Sequence, residues 1–344
     1  MAGGGNGIGE AGLQSEAYEP LILIYTPYFR MPVDLAALVG NEPGRWTVDR
    51  RRISEADAVV FHAPDLSMGG DARKYPGQLW VVWSMESAVN VPAISDPRFM
   101  RHIDIRMTYE RSADVWAPYA KSADWWREVQ RAEIPRKTEE KPLVLFQSSP
   151  VNRSGREGFV HELAKHIGID SYGLFMKNRS VEGPDTGVRT KLRTIGGYPF
   201  CLALENSIAP DYVTEKMFEP LRAGTVPIYL GAPNARDFVP PDSYIDAGGY
   251  GKPAELSAYL KSLIDRPAAY SAYFAWRQKP LPASFLESLR GLEASPFRRL
   301  MMLVRRHVGA GGSRRPAGNP TMPYGLAPFL RTKLRRLRKS GSFH

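Results

Sequence analysis

FCLALENSIAPDYVTEKMFEPLRAGTVPIYLGAPNARDFVPPDSYI, residues 200–245, carries a strand, a polar loop, a helix and a second strand without a break. Residues 200–204 form a short apolar run of the kind buried in a parallel sheet. The run ends directly on Glu205, Asn206 and Ser207, which puts polar side chains at the carboxyl end of a strand, where open α/β sheets bind ligands. Beyond Pro210, Asp211 is placed to cap a helix with Tyr212, Thr214, Glu215 and Lys216 in its first turns. Gly224, just ahead of Pro227, ends that helix. A helix start with a lysine beside it suits a phosphate.

Upstream, apolar runs at 21–25, 57–61 and 79–83 are expected strands of a first parallel, doubly wound unit. The third delivers Ser84, Met85, Glu86, Ser87 and Asn90 at its carboxyl end, so Glu86 is a carboxylate expected at a crevice mouth. A further strand is expected at 104–109, and 121–141 reads as a helix running into the polar linker PRKTEEKP. Its Trp125 and Trp126 fit packing against the domain better than stacking on a sugar. The second unit opens with a strand at 143–146. A helix follows, with Phe159, Leu163 and Ile167 on one face and Arg156 in its first turn. An arginine at that end opposes the helix dipole, which an anionic ligand would explain. Residues 170–173 are a candidate strand, 177–197 an exposed connection, 254–265 a helix, and 270–303 a set of helices crossing back to the first unit.

The chain has 344 residues, 43% of them hydrophobic, enough for two cores of ordinary size. We divide it at 1–19 (a flexible, glycine-rich start), 20–138, 139–272, 273–309 and 310–344. Gly7, Gly9 and Gly12 have the spacing of a dinucleotide fingerprint, but no strand precedes them, and the match is rejected. A single cysteine, Cys201, excludes an internal disulfide, and no long apolar run qualifies as a membrane span. Twelve Lys and Arg residues and no acid fall between Arg298 and His344; the rest of the chain is slightly acidic despite the overall +10. Nucleic acid is therefore not an expected partner of the folded body. In the tail, Leu330, Leu334 and Leu337 recur among basic residues, the pattern of an amphipathic helix at an anionic membrane surface.

The six histidines lack a metal spacing, no Asp-x-Asp and no P-loop occur, and no triad is arranged around a nucleophile. A crevice remains, with Glu86 on one side and Arg156, Asn206, Tyr212, Glu215 and Lys216 on the other, a set suited to transfer from a diphosphate-activated donor.

The block ENSIAPDYVTEKMFEPLRAGTVPIYLGAP with VPPDSYI closely resembles the donor-binding signature of the α1,3-fucosyltransferases, glycosyltransferase family ten. WSMESAVNVP resembles the family's acceptor-side Glu-Ser loop, MTYERSADVWAPY its Tyr-Arg-x-Ser-Asp segment, NRSGREGFVHEL its Arg-containing helix, and YFAWR a late segment. The resemblance covers roughly residues 80–277. It implies a glycosyltransferase B fold of two Rossmann-like, doubly wound domains facing a cleft, and inverting transfer of fucose from GDP-fucose to a hydroxyl, O3 of N-acetylglucosamine foremost. By the same resemblance Glu86 is the general base, Arg156 and Lys216 stabilise the leaving GDP, and Asn206, Tyr212 and Glu215 hold ribose, diphosphate and fucose. Glu205 shares the motif and is equally read as a buried carboxylate holding the loop. No cofactor is required, and a divalent metal is at most stimulatory. The acceptor loop departs from the Glu-Ser-Pro of many relatives, leaving acceptor preference open. Neither the membrane anchor nor the paired cysteines of secretory relatives are present, so the expectation is a bacterial, cytoplasmic enzyme acting on a cell-surface oligosaccharide, peripheral on the membrane through its tail. The alternatives are another GDP-sugar transferase on the same scaffold and a non-catalytic glycan or membrane adaptor.

Overall fold

The computed structural model describes residues 18–309. The glycine-rich start up to residue 17 and the basic tail from 310, including Leu330, Leu334 and Leu337, lie outside the described residues. Among the described residues, eleven strands fall into two sheets. The first contains β1 (Leu21–Ile24), β2 (Arg45–Thr47), β3 (Ala58–His62), β4 (Leu79–Ser84), β5 (Ile105–Thr108) and β6 (Val115–Trp116), in the order β2-β1-β3-β4-β5-β6. The second contains β7 (Leu143–Leu145), β8 (Ile169–Ser171), β9 (Phe200–Leu204), β10 (Val226–Leu230) and β11 (Ile245–Asp246), in the order β11-β10-β9-β7-β8. Every pairing between them is parallel. All carboxyl ends of a sheet therefore face one way. Strand order reverses at β1/β3 and at β7/β9, the switch points where such sheets open a crevice.

Alternation along the strands divides each sheet's apolar residues between two faces. Ile22, Val60, Val81 and Met107 pack in one core, whereas Leu23, Val59, Trp80 and Val82 pack in another on the opposite face. In the second sheet, Leu143, Phe200, Leu202 and Val226 share one core, and Val144 and Cys201 lie across from them. The first of these cores is closed by the last described helix, Pro296–Gly309, which inserts Phe297, Leu300, Met301 and Val304. The chain thus returns to the first sheet after completing the second.

Three expectations need correction. The helix expected over 121–141 covers only Ala123–Arg131, capped by Ser122; from Ala132, at ψ 140, the backbone is extended. Trp126 is fully buried against Phe218 and Trp276, the packing role expected of it. The connection at 177–197 contains a helix, Val188–Gly196, which starts after Gly187 at φ 70 without a side-chain cap and buries Ile195. Lacking a capping residue, it had no start signal in the sequence. The central helix is Glu215–Ala223, and its cap is Thr214, whose Oγ1 accepts from the Lys216 N–H. Asp211 stands outside it, three residues before the cap, at φ 63, and its carboxylate is turned to Arg111 and Asn234. Gly224 ends the helix at φ 71, as expected.

Candidate active site

The loop after β9 is built around Glu205. Its carboxylate is fully buried and accepts from the Thr214 N–H and Oγ1, each at 2.8 Å. These bonds tie the strand end to the helix start. Burial raises the Glu205 carboxyl to about 6, against the pull of Lys216 and the Thr214 N–H. Lys216 Nζ lies 3.5 Å from Glu205 Oε2, 3.0 Å from Glu215 Oε1 and 2.9 Å from Thr214 Oγ1. Burial opposes its charge, but the two carboxylates outweigh it and raise its pKa. For Glu215, burial is likewise outweighed, by Lys216, and its carboxyl is lowered. The helix start is therefore an ionised Lys–Glu array at the edge of the crevice.

Arg156 opens the helix Arg156–Leu163, following Gly155 in the left-handed region. Its side chain is buried and donates to the carbonyls of Leu204, Ser149 and Val151 at 3.0, 3.1 and 3.0 Å, while Nε has no partner. No carboxylate among the described residues lies within ion-pair distance of it. Burial lowers its pKa, with the Glu205 charge the largest counterweight. The guanidinium is thus a desolvated cation compensated by carbonyl dipoles, an arrangement that favours an approaching anion.

Across the crevice, β4 ends in the Ser84–Asn90 loop. Glu86 Oε2 accepts from Asn90 Nδ2 at 2.8 Å and from Tyr212 Oη at 3.2 Å. Asn90 Nδ2 also donates to Asn206 Oδ1 at 2.9 Å. The Tyr212 ring is buried, and burial together with the Glu86 charge raises its pKa, so its hydroxyl remains a donor. The fold therefore gathers all six candidates beyond strand carboxyl ends: Glu86 from the first sheet, and Arg156, Asn206, Tyr212, Glu215 and Lys216 from the second. Glu86, Tyr212 and Asn206 join one hydrogen-bond network through Asn90. Arg156 lies beneath it, engaged with backbone.

Three further residues face this network. Tyr28, in the loop after β1, stacks on Trp83 with ring centres 5.2 Å apart, and burial with the charges of Glu86 and Glu215 raises its pKa. Tyr119 packs beside Tyr109 and Tyr212, and burial with the charge of Glu215 raises it too. Lys121 is lowered by burial near Glu219. The position of Tyr28 just past a strand at the switch point could have marked it from sequence, and Tyr119 ends the MTYERSADVWAPY segment singled out there; Lys121 carries no local signal. Among the described residues, no group of three His, Cys, Asp or Glu side chains converges, so no residues are assigned to a metal.

The arrangement can hold an anion beside Lys216 and Arg156 while presenting a carboxylate from the facing loop. Comparison with known proteins is consistent with that chemistry. Residues 17–120 match a family model described as fucosyltransferase, N-terminal, and residues 135–294 one described as glycosyltransferase family 10 (fucosyltransferase) C-term. The chain is 31% identical over 277 residues to a 3-galactosyl-N-acetylglucosaminide 4-alpha-L-fucosyltransferase of Pan troglodytes, covering 77% of this chain and 72% of that one. It is 30% identical over 278 residues to a human 4-galactosyl-N-acetylglucosaminide 3-alpha-L-fucosyltransferase, covering 77% and 75%. A crystal structure of an alpha1,3-fucosyltransferase with GDP has the same fold, with a TM-score of 0.56 at 14% identity over 90% of this chain and 96% of the other.

Proposed function

The chain belongs to glycosyltransferase family 10, the fucosyltransferases, and from that premise we propose that it transfers L-fucose from GDP-fucose to a hydroxyl of an oligosaccharide acceptor, with inversion and with O3 of N-acetylglucosamine as the preferred position. In this reading the two units are the halves of a glycosyltransferase B fold, the first binding acceptor and the second donor. The observation that carries it is the hydrogen bond from Tyr212 Oη to Glu86 Oε2, which sets a carboxylate of one half against the phosphate-suited helix start of the other.

A single displacement needs a base for the attacking hydroxyl. Glu86 is half-buried at the crevice, and Asn90 and Tyr212 fix its carboxylate by donating to the same oxygen. Both donors bond to the ionised form and leave Oε1 to receive the proton. The departing diphosphate gathers negative charge, which Lys216 and the buried charge of Arg156 stabilise. Three of the five Arg156 N–H donors serve carbonyls, and the unpartnered Nε is left to meet a phosphate oxygen without giving up any of those bonds. Asn206, Tyr212 and Glu215 line the space between for ribose, diphosphate and fucose. A cytoplasmic site, with the basic tail on an anionic membrane, is part of the same proposal; cosedimentation with anionic vesicles of the full chain against a chain ending at Gly309 tests it.

Purified protein incubated with GDP-fucose and an array of lactosamine, chitobiose and Lewis-type acceptors, followed by linkage determination, is the test. Fucose on O3 is the expected product. GDP release only from a different GDP-sugar would replace fucose as the donor, and no turnover with any sugar would overturn the enzymatic reading.

A further inference from the structure

Arg111 stands between β5 and β6 of the first sheet, yet its side chain reaches the second half. Its guanidinium lies 4.8 Å from the ring centre of Trp116 and 4.6 Å from that of Phe238, one ring from each half. It donates to the carbonyls of Asp237 and Ser288, each at 3.3 Å. The Arg111 backbone N–H donates to Asp211 Oδ2 at 3.0 Å. Asp211 is held a second time by Asn234: its N–H donates to Asn234 Oδ1, and its Oδ1 accepts from Asn234 Nδ2, both at 2.9 Å. These bonds keep a non-glycine residue at φ 63. Residues in such sparsely populated conformations persist where their surroundings over-determine them, and they cluster at functional sites.

The next residue is Tyr212. A left-handed residue before it sets the direction in which the chain enters, and hence where its hydroxyl points. Tyr109 braces the ring edge-on at 5.1 Å, and its own hydroxyl accepts from the Ala88 N–H of the Glu86 loop at 3.4 Å. The path from Arg111 through Asp211 and Tyr212 to Glu86 thus starts and ends in the first half and passes through the second.

We propose that Asp211 is a positioning residue, the centre of a clasp with Arg111 and Asn234 that fixes the Tyr212 hydroxyl on Glu86 and so orients the carboxylate only when the two halves are joined. The kinetic consequence rests on the assignment of Glu86 as base; the clasp itself does not. An unheld Tyr212 leaves donor contacts at Lys216 in place but leaves the Glu86 carboxylate with Asn90 as its one remaining donor, so the loss is expected mainly in kcat and less in donor KM.

Asn234→Ala removes the partner of Asp211 without altering its backbone preference. Asp211→Gly adopts positive φ freely but lacks the carboxylate, and it guards against a failure of Asp211→Ala to fold. Each variant is expected to lower kcat about ten- to a hundredfold with a smaller rise in donor KM. Adding Tyr212→Phe to any of them is expected to cost little more than Tyr212→Phe alone, because all act through one hydroxyl. Hydrogen exchange is expected to quicken in both 84–91 and 205–214. Losses that multiply with Tyr212→Phe, or unchanged exchange in the two segments, overturn the proposal. If the wild-type protein transfers no fucose, the functional reading fails, while the exchange result still decides the clasp.

Discussion

Ser87 Oγ and Ser207 Oγ lie 2.6 Å apart in a buried contact between residues 120 positions apart in the chain. Each directly follows a residue of the crevice, Glu86 in one half and Asn206 in the other. A hydroxyl pair therefore fastens the loop after β4 to the loop after β9 immediately beneath the site.

Removing one of two buried hydrogen-bonded hydroxyls strands the other, whereas removing both does not. Ser87→Ala is expected to destabilise the protein by about 1–2 kcal/mol. Ser207→Ala should cost about the same, since each stranded hydroxyl retains one partner: Ser207 Oγ donates to Asn206 Oδ1, and Ser87 Oγ accepts from the Asn90 N–H. Urea unfolding of both singles and the double is expected to give a coupling of about 1 kcal/mol; strictly additive losses would show that the contact contributes nothing.

Much of this was legible in sequence, for physical reasons. Strands buried on both faces read as apolar runs, which is why β3, β4, β7 and β9 were found within a residue or two. Glu86 and Asn206 could be named because a strand end in a parallel sheet is itself a site signal. The start of the central helix was misplaced because Asp is the better cap of the two by preference, and nothing local tells that Asp211 takes positive φ. The burial of Arg156 and its three carbonyl partners also had no signature, since a cation early in a helix reads as exposed until tertiary packing covers it. Contacts such as Ser87 with Ser207 exist only once the two sheets meet.

Glu86→Gln keeps an acceptor for Tyr212 and nearly the same shape but is not a base. Transfer is expected to fall about 10²–10⁴-fold. GDP-fucose affinity, measured by titration calorimetry, is expected to hold within about twofold, because the change lies opposite Lys216 and Arg156, the residues proposed to hold the phosphates. Normal turnover would remove Glu86 from the chemistry.

Arg156→Lys retains charge but not the fork that serves three carbonyls at once. Residues 149–151 are expected to loosen, with faster hydrogen exchange and about tenfold weaker donor binding. Arg156→Ala is expected to lose more of both. A lysine variant with wild-type affinity and exchange would mean the charge alone suffices.

Lys216→Met removes the cation nearest Glu205 and Glu215. Donor affinity is expected to drop at least tenfold, and the protein to lose about 3 kcal/mol because a buried carboxylate is left uncompensated. Adding Glu205→Gln should recover most of the stability and none of the affinity. Thermal melts and calorimetry separate the two effects.

Glu205 makes this site sensitive to pH. Its carboxyl is raised from an ordinary 4.5 to about 6 in the folded protein. The folded state therefore binds that proton more tightly than the unfolded one, and stability from this group is complete below about 4.5 and falls as pH rises to 6. The loss is about 2 kcal/mol above that window. Glu205→Gln, still able to accept from Thr214, is expected to flatten this part of the urea-denaturation profile. A diphosphate bound beside Lys216 would add negative charge near Glu205 and raise its pKa further. By linkage, donor binding near pH 6 must then take up protons, and affinity must rise as pH falls through 6. Calorimetry in buffers of different ionisation enthalpy measures that uptake directly. Uptake that vanishes in Glu205→Gln identifies the group; uptake unchanged in the variant would place the proton elsewhere.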